Sequence, residues 1–136
     1  MRIVLRAGLI ILTLVEVGLG GWTQFFPESF YRDFPTVALT PPFSEHLMRD
    51  FGGATLGLAV VLGAAALWLE RRLVCVALIA YLVFALPHLV FHLGHLHDAS
   101  PSDAGFLVVS LGVSVLLPLA LLALASRTLR RAPQAE

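Results

Sequence analysis

The sequence predicts an all-α integral membrane protein, a four-helix bundle with both termini cytoplasmic. Three observations predict it. The chain is 58% hydrophobic and only 13% charged, about half the charge of an average soluble domain. Four apolar runs are each long enough to cross a bilayer. The arginines, finally, gather at alternating ends of those runs. The 136 residues suit one membrane domain and leave no room for a separate soluble one.

Span one runs from Ile3 to about Trp22; its full length, Glu16 and the lack of a small-residue cleavage pattern make it a retained span rather than a signal peptide. An outer loop of about 23–44 follows, with Phe25, Phe26, Phe30, Tyr31, Phe34 and Phe43 among Pro27, Pro35, Pro41 and Pro42. Aromatic rings favour headgroup depth, so this stretch is expected to lie in the interface or to cap the bundle. Span two covers about 47–69, Arg71 and Arg72 form a tight turn, and span three covers 73–93. In the short second outer loop Ser100, Pro101 and Asp103 read as cap, first helical residue and third-position acid of span four, which covers about 105–125. The chain contains no internal repeat.

All nine basic residues are arginines. Arg2, Arg6, Arg71, Arg72, Arg127, Arg130 and Arg131 mark one side, and only Arg32 and Arg49 the other. The positive-inside rule therefore puts the first set in the cytoplasm, and the chain is expected in the plasma membrane as a multi-pass protein. Glu16, Glu28, Asp33, Glu45, Asp50, Asp98 and Asp103 fall in the outer half, leaving Glu70 and Glu136 inside. With zero net charge and no basic patch, nucleic-acid binding is excluded. The single cysteine, Cys75, excludes an internal disulfide and a multi-cysteine zinc site, and it reads as a small core residue.

Polar chemistry therefore collects at the outer face. In span three His88, His92 and His95 stand at i, i+4 and i+7 on one helical face, Tyr81 extends that face inward, and His97 lies roughly opposite. Pro87 removes a backbone hydrogen bond just before His88. In span two His46, Asp50, Gly53 and Gly57 share a stripe; the Gly53–Gly57 spacing is a helix-packing pattern, so His46 and Asp50 are expected to point into the bundle with it. Glu45 and Arg49 form an i, i+4 ion pair beside that stripe. In span one Glu16, with Thr13, Gly20 and Thr23 on about the same side, is an intramembrane carboxylate, most simply paired with Arg49 or a histidine. Span four shows only Ser110, Gly112, Ser114 and Pro118 and reads as scaffold.

The candidate metal ligands are His46, Asp50, His88, His92 and His95, a mixed set suited to zinc, iron or copper. Glu16, Arg49 and Tyr81 are the candidate cofactor-binding residues. Three functions stay open: a metal or redox site, a non-catalytic module binding a lipid or quinone between the helices, and an accessory subunit whose polar network only fixes packing. Partners implied are membrane lipid and a second copy or a larger membrane complex. No serine or cysteine motif supports nucleophilic catalysis, and no catalytic residue is assigned.

Glu16, the loop residues Phe30, Tyr31, Phe34 and Pro35, the run from Glu45 to Gly53, and Pro87, His88, Phe91, His92 and His95 resemble the DoxX-like group of small four-helix membrane proteins. The resemblance covers nearly the whole chain. It implies a role as a subunit of a quinone-linked oxidoreductase or as an assembly partner of a larger membrane protein, without assigning either to single residues.

Overall fold

A computed structural model describes residues 1–39 and 42–129, apart from the side chain of Asp98. Pro41 of the aromatic loop, and Arg130, Arg131 and Glu136 of the charge pattern, lie outside the described residues. Among those described the protein is all-helical: α1 (Arg2–Phe25), α2 (Pro27–Asp33), α3 (Glu45–Trp68), α4 (Arg71–Leu93) and α5 (Pro101–Thr128), with 3-10 turns at 37–39 and 96–98. Helices α1, α3, α4 and α5 are long and apolar enough to cross a membrane. In the most apolar stretch of each, only 22% to 33% is buried inside the protein. Helices that are apolar all round yet leave most of that surface outside the bundle are built for lipid, and this is a multi-pass membrane protein.

The packing follows a narrow stripe on each helix. On α1 the buried positions are Leu5, Gly8, Leu9, Leu12, Glu16, Gly20 and Thr23, the three-and-four spacing of one helical face. On α3 they include Met48, Gly52, Thr55, Ala59, Leu62 and Ala66, mostly small. These stripes meet along the longest seam of the bundle; α4 packs on α5, and contacts of α3 with α4 and of α1 with α5 join the two pairs. Gly20 and Gly52 let α1 and α3 approach closely. A Cβ on Gly52 would stand 2.6 Å from the Gln24 backbone nitrogen, and one on Gly20 would stand 3.1 Å from the Gly52 carbonyl oxygen. Gly53 and Gly57, the pair expected to form this contact, are exposed, and Gly57 has open space around it. The packing stripe is therefore rotated by one residue, about 100° of helix, from the expected one.

At the arginine end, α3 stops at Leu69, a left-handed residue with φ 48° whose N–H donates to the Ala65 carbonyl at 3.0 Å, and α4 begins two residues later. Arg6 reaches across from α1 to donate from Nε to the Ala66 carbonyl (3.1 Å) and from Nη2 to that of Leu67 (3.4 Å). A cation here satisfies carbonyls that the helix end leaves open and offsets the negative end of its dipole.

At the opposite end the Ser100 hydroxyl caps α5, accepting the Asp103 N–H at 3.2 Å and donating to its carboxylate at 2.7 Å, as the Ser–Pro–Ser–Asp run predicts. The aromatic loop contains a helix, α2, where the sequence predicts only a loop. Its signals were local: Pro27 at the first turn, Glu28 beside it and Arg32 in the last turn. α2 caps the bundle, since Phe30 and Phe34 pack on Trp22 of α1 (ring centroids 5.6 and 6.2 Å) and Phe34 also meets Phe106 of α5 at 6.1 Å. Trp22 Nε1 donates to Ser29 Oγ (3.1 Å), which in turn donates to Asp33 (3.0 Å). The Arg32 guanidinium, helped by this Ser29 hydroxyl, holds the Asp33 carboxyl below its ordinary value.

Replacing Gly52 by alanine should therefore cost about 1–3 kcal/mol, because backbone rather than a mobile side chain blocks the new methyl. Gly57→Ala should stay within about 0.5 kcal/mol of the parent. Unfolding of both variants in detergent micelles measures the contrast, and equal losses would contradict the seam.

Candidate functional site

Two polar groupings emerge where the sequence suggested one. The first lies at mid-depth. Glu16, 5% exposed, interacts with the hydroxyl of Tyr81, 4% exposed, which brings α1 and α4 together across the bundle. The expected partners of Glu16, Arg49 or a histidine, are not the ones it has. Arg49 instead donates from Nη1 to the Gln24 carbonyl at 2.6 Å and from Nε to Glu45 at 2.9 Å. Gln24 lies eight residues beyond Glu16 on α1, about 12 Å of helix, so one guanidinium cannot serve both. Arg49 thus ties the end of α1 to the start of α3, and the expected Glu45–Arg49 pair is present. The Gln24 side-chain oxygen beside it is buried without a hydrogen-bond partner among the described residues.

The second grouping is a ladder of rings climbing the α3–α4 seam toward the aromatic end. Phe51 of α3 meets Phe84 of α4 (5.7 Å between centroids), Phe84 stacks on His88 (5.2 Å), and His88 meets His92 edge-on (4.7 Å). Phe91 then joins His92 (5.4 Å) to His95, on which it stacks at 4.2 Å. His88 and His92 are half-buried, while Phe84 and Phe91 are 41% and 49% exposed, so the ladder is open to the surroundings along one edge. The sequence pattern alone does not mark Phe51 or Phe84 as part of the site. Phe84, four residues before His88 and on its face, was the readable signal.

The remaining site expectations change in specific ways. His46 and Asp50 do not turn into the bundle: their side chains are 89% and 63% exposed and pair with each other at 3.2 Å. The one-residue phase shift of α3 carries them outward with Gly53. His95 is not on the helical face of His88 and His92, because α4 ends at Leu93 and the backbone turns at Gly94. The His95 Nδ1 lies 2.7 Å from the Phe91 carbonyl, a contact that requires the proton on Nδ1 and closes the end of α4. Tyr81 and His88 share the inward direction of α4, but Tyr81 reaches the core while His88 stays in the seam.

Among the described residues no three His, Cys, Asp or Glu side chains come together as a metal-holding group. The five candidate ligands are instead split into an exposed His46–Asp50 pair, the adjacent His88 and His92, and His95 at the helix end. Comparison with protein-family models, curated proteins and solved structures gives no match. The Glu16–Tyr81 pair is enclosed and suits helix fixation, whereas the ladder offers flat apolar faces interleaved with imidazole nitrogens at an open seam.

If Glu16 and Tyr81 act as a structural pair, Tyr81→Phe leaves a buried carboxyl without its donor and should lose about 1–3 kcal/mol. Removing both polar groups, in Glu16→Leu with Tyr81→Phe, should lose less than the two single changes together. Denaturation in micelles gives the cycle, and simple additivity would rule the coupling out.

Proposed function

We propose that this protein is a non-catalytic module of the plasma membrane that holds the head of an amphipathic ligand, a quinone or a lipid, at the α3–α4 seam. One observation carries the reading: six rings, from Phe51 to His95, run in continuous contact with centroid spacings of 4.2 to 5.7 Å. A quinone is planar and apolar on its faces and bears two carbonyl acceptors on its rim. The phenyl faces of Phe84 and Phe91 suit stacking, and the imidazoles of His88 and His92 can donate to a carbonyl or accept from a quinol hydroxyl. Because the seam opens sideways, the isoprenoid tail would stay in lipid while the head is held. The DoxX-like resemblance of Phe91, His88 and His92 favours the same ligand class, since some members of that group look like subunits of quinone-linked oxidoreductases. As an accessory subunit the protein would present its ligand to a larger complex, with any redox step performed there.

The experiment is a titration of the detergent-purified, tag-free protein with a short-chain benzoquinone, read by calorimetry. Saturable binding is expected, weakened about tenfold when His88→Ala and His92→Ala remove the two imidazoles, the loss of roughly one good polar contact. Unchanged affinity in the double variant would sink the proposal. A zinc titration of the same two proteins is the counter-test: one tightly held zinc per chain, lost in the variant, would replace the quinone reading with a metal site.

A further inference from the structure

We infer that the outer surface of the α1–α3 seam, at the arginine end, is a binding site for one anionic phospholipid. This site lies at the far end of the bundle from the ring ladder and does not depend on it. Two adjoining depressions share Arg6. The first, at the helix ends, is lined by Arg2, Arg6 and Trp68. The second continues from Arg6 toward the membrane centre between Ile10 and Leu14 of α1 and Leu67 of α3. Its floor is Gly63, where a Cβ would meet only the methyl of Thr13, at 3.5 Å. A residue without a side chain flanked by large apolar ones makes a furrow, and from Arg6 to Leu14 the furrow follows eight residues of helix, about 12 Å. That is room for a large part of one acyl chain.

The charge pattern selects the head. Arg6 is held in place by the terminal carbonyls of α3, which use its Nε and Nη2 and leave Nη1 without a hydrogen bond among the described residues. The Arg2 side chain is exposed and has no ion pair or hydrogen bond among the described residues. No acidic residue lines either depression; Glu70, next to the lining residue Leu69, is exposed outside them. Trp68, the last residue of α3, is 71% exposed, and indole rings at the ends of membrane helices favour headgroup depth. Two guanidinium groups over an apolar furrow fit a phosphodiester whose head adds no positive charge of its own, as in phosphatidylglycerol, better than a zwitterionic head.

The test is a thermal-unfolding series on the delipidated protein in detergent with phosphatidylglycerol, phosphatidylcholine or inorganic phosphate added. Phosphatidylglycerol should raise the midpoint saturably, with phosphatidylcholine giving a smaller shift and inorganic phosphate, which has no tail, giving none. Arg2→Gln should weaken the apparent affinity for phosphatidylglycerol about fivefold, the contribution of one basic residue near an anionic surface. Gly63→Leu, which fills the furrow and leaves both arginines in the sequence, should abolish the saturable shift while the lipid-free midpoint shows that the protein still folds. Equal shifts with the two phospholipids, a shift with inorganic phosphate alone, or unaltered affinity in both variants would each overturn the inference.

Discussion

The close approach of α1 and α3 at Gly20 and Gly52 governs the rest of the structure. With Gly52 fixed against the Gln24 backbone, α3 has no freedom of rotation, and each of its neighbours takes a set direction at about 100° per residue. Arg49 falls toward the end of α1 and reaches the Gln24 carbonyl. Asp50 turns outward to His46, and Phe51 turns to Phe84 on α4. One backbone contact thus decides which polar groups enter the protein and which leave it.

Lipid makes this contact valuable. Between membrane helices there is little hydrophobic gain, because lipid tails are as apolar as the side chains they would be exchanged for, so close packing and internal hydrogen bonds carry the association. The bundle uses both. Small residues dominate the α3 stripe, and the Glu16–Tyr81 contact joins α1 to α4, which otherwise belong to different closely packed pairs. A carboxyl group at that depth, without a donor, would be costly. Tyr81 meets that need and simultaneously ties the two halves together.

The two ends are chemically distinct. At one, Arg6 closes the end of α3 and borders an apolar furrow; at the other, Trp22, Phe30, Phe34 and Phe106 roof the helices and the imidazole–phenyl ladder opens onto the seam. Aromatic rings serve two purposes in that region. Those of α2 are packed against α1 and α5 as a lid, whereas those of α4 alternate with histidines and stay partly open. The proposed ligand site belongs to the second group for that reason.

The four spans, their order, the arginine-marked ends and the Ser100 cap were legible because each rests on local composition or spacing, and a bilayer demands long apolar helices whatever their neighbours. The Glu45–Arg49 pair was legible too, being set by one helical turn. What the sequence could not fix was rotation. Gly52 and Gly53 are adjacent and chemically identical, and in a helix apolar on every side no amphipathic pattern says which faces inward. The partner of Glu16 was hidden for the same reason, since Tyr81 lies 65 residues away and only the packing of α1, α3 and α4 brings the two to one depth. The sequence by itself determined a four-span membrane helix bundle with polar groups toward one end. The tertiary structure alone divided those groups into a buried Glu16–Tyr81 tie, an exposed His46–Asp50 pair and an open ladder of rings, because helix rotation is chosen by steric fit between helices and not by hydropathy.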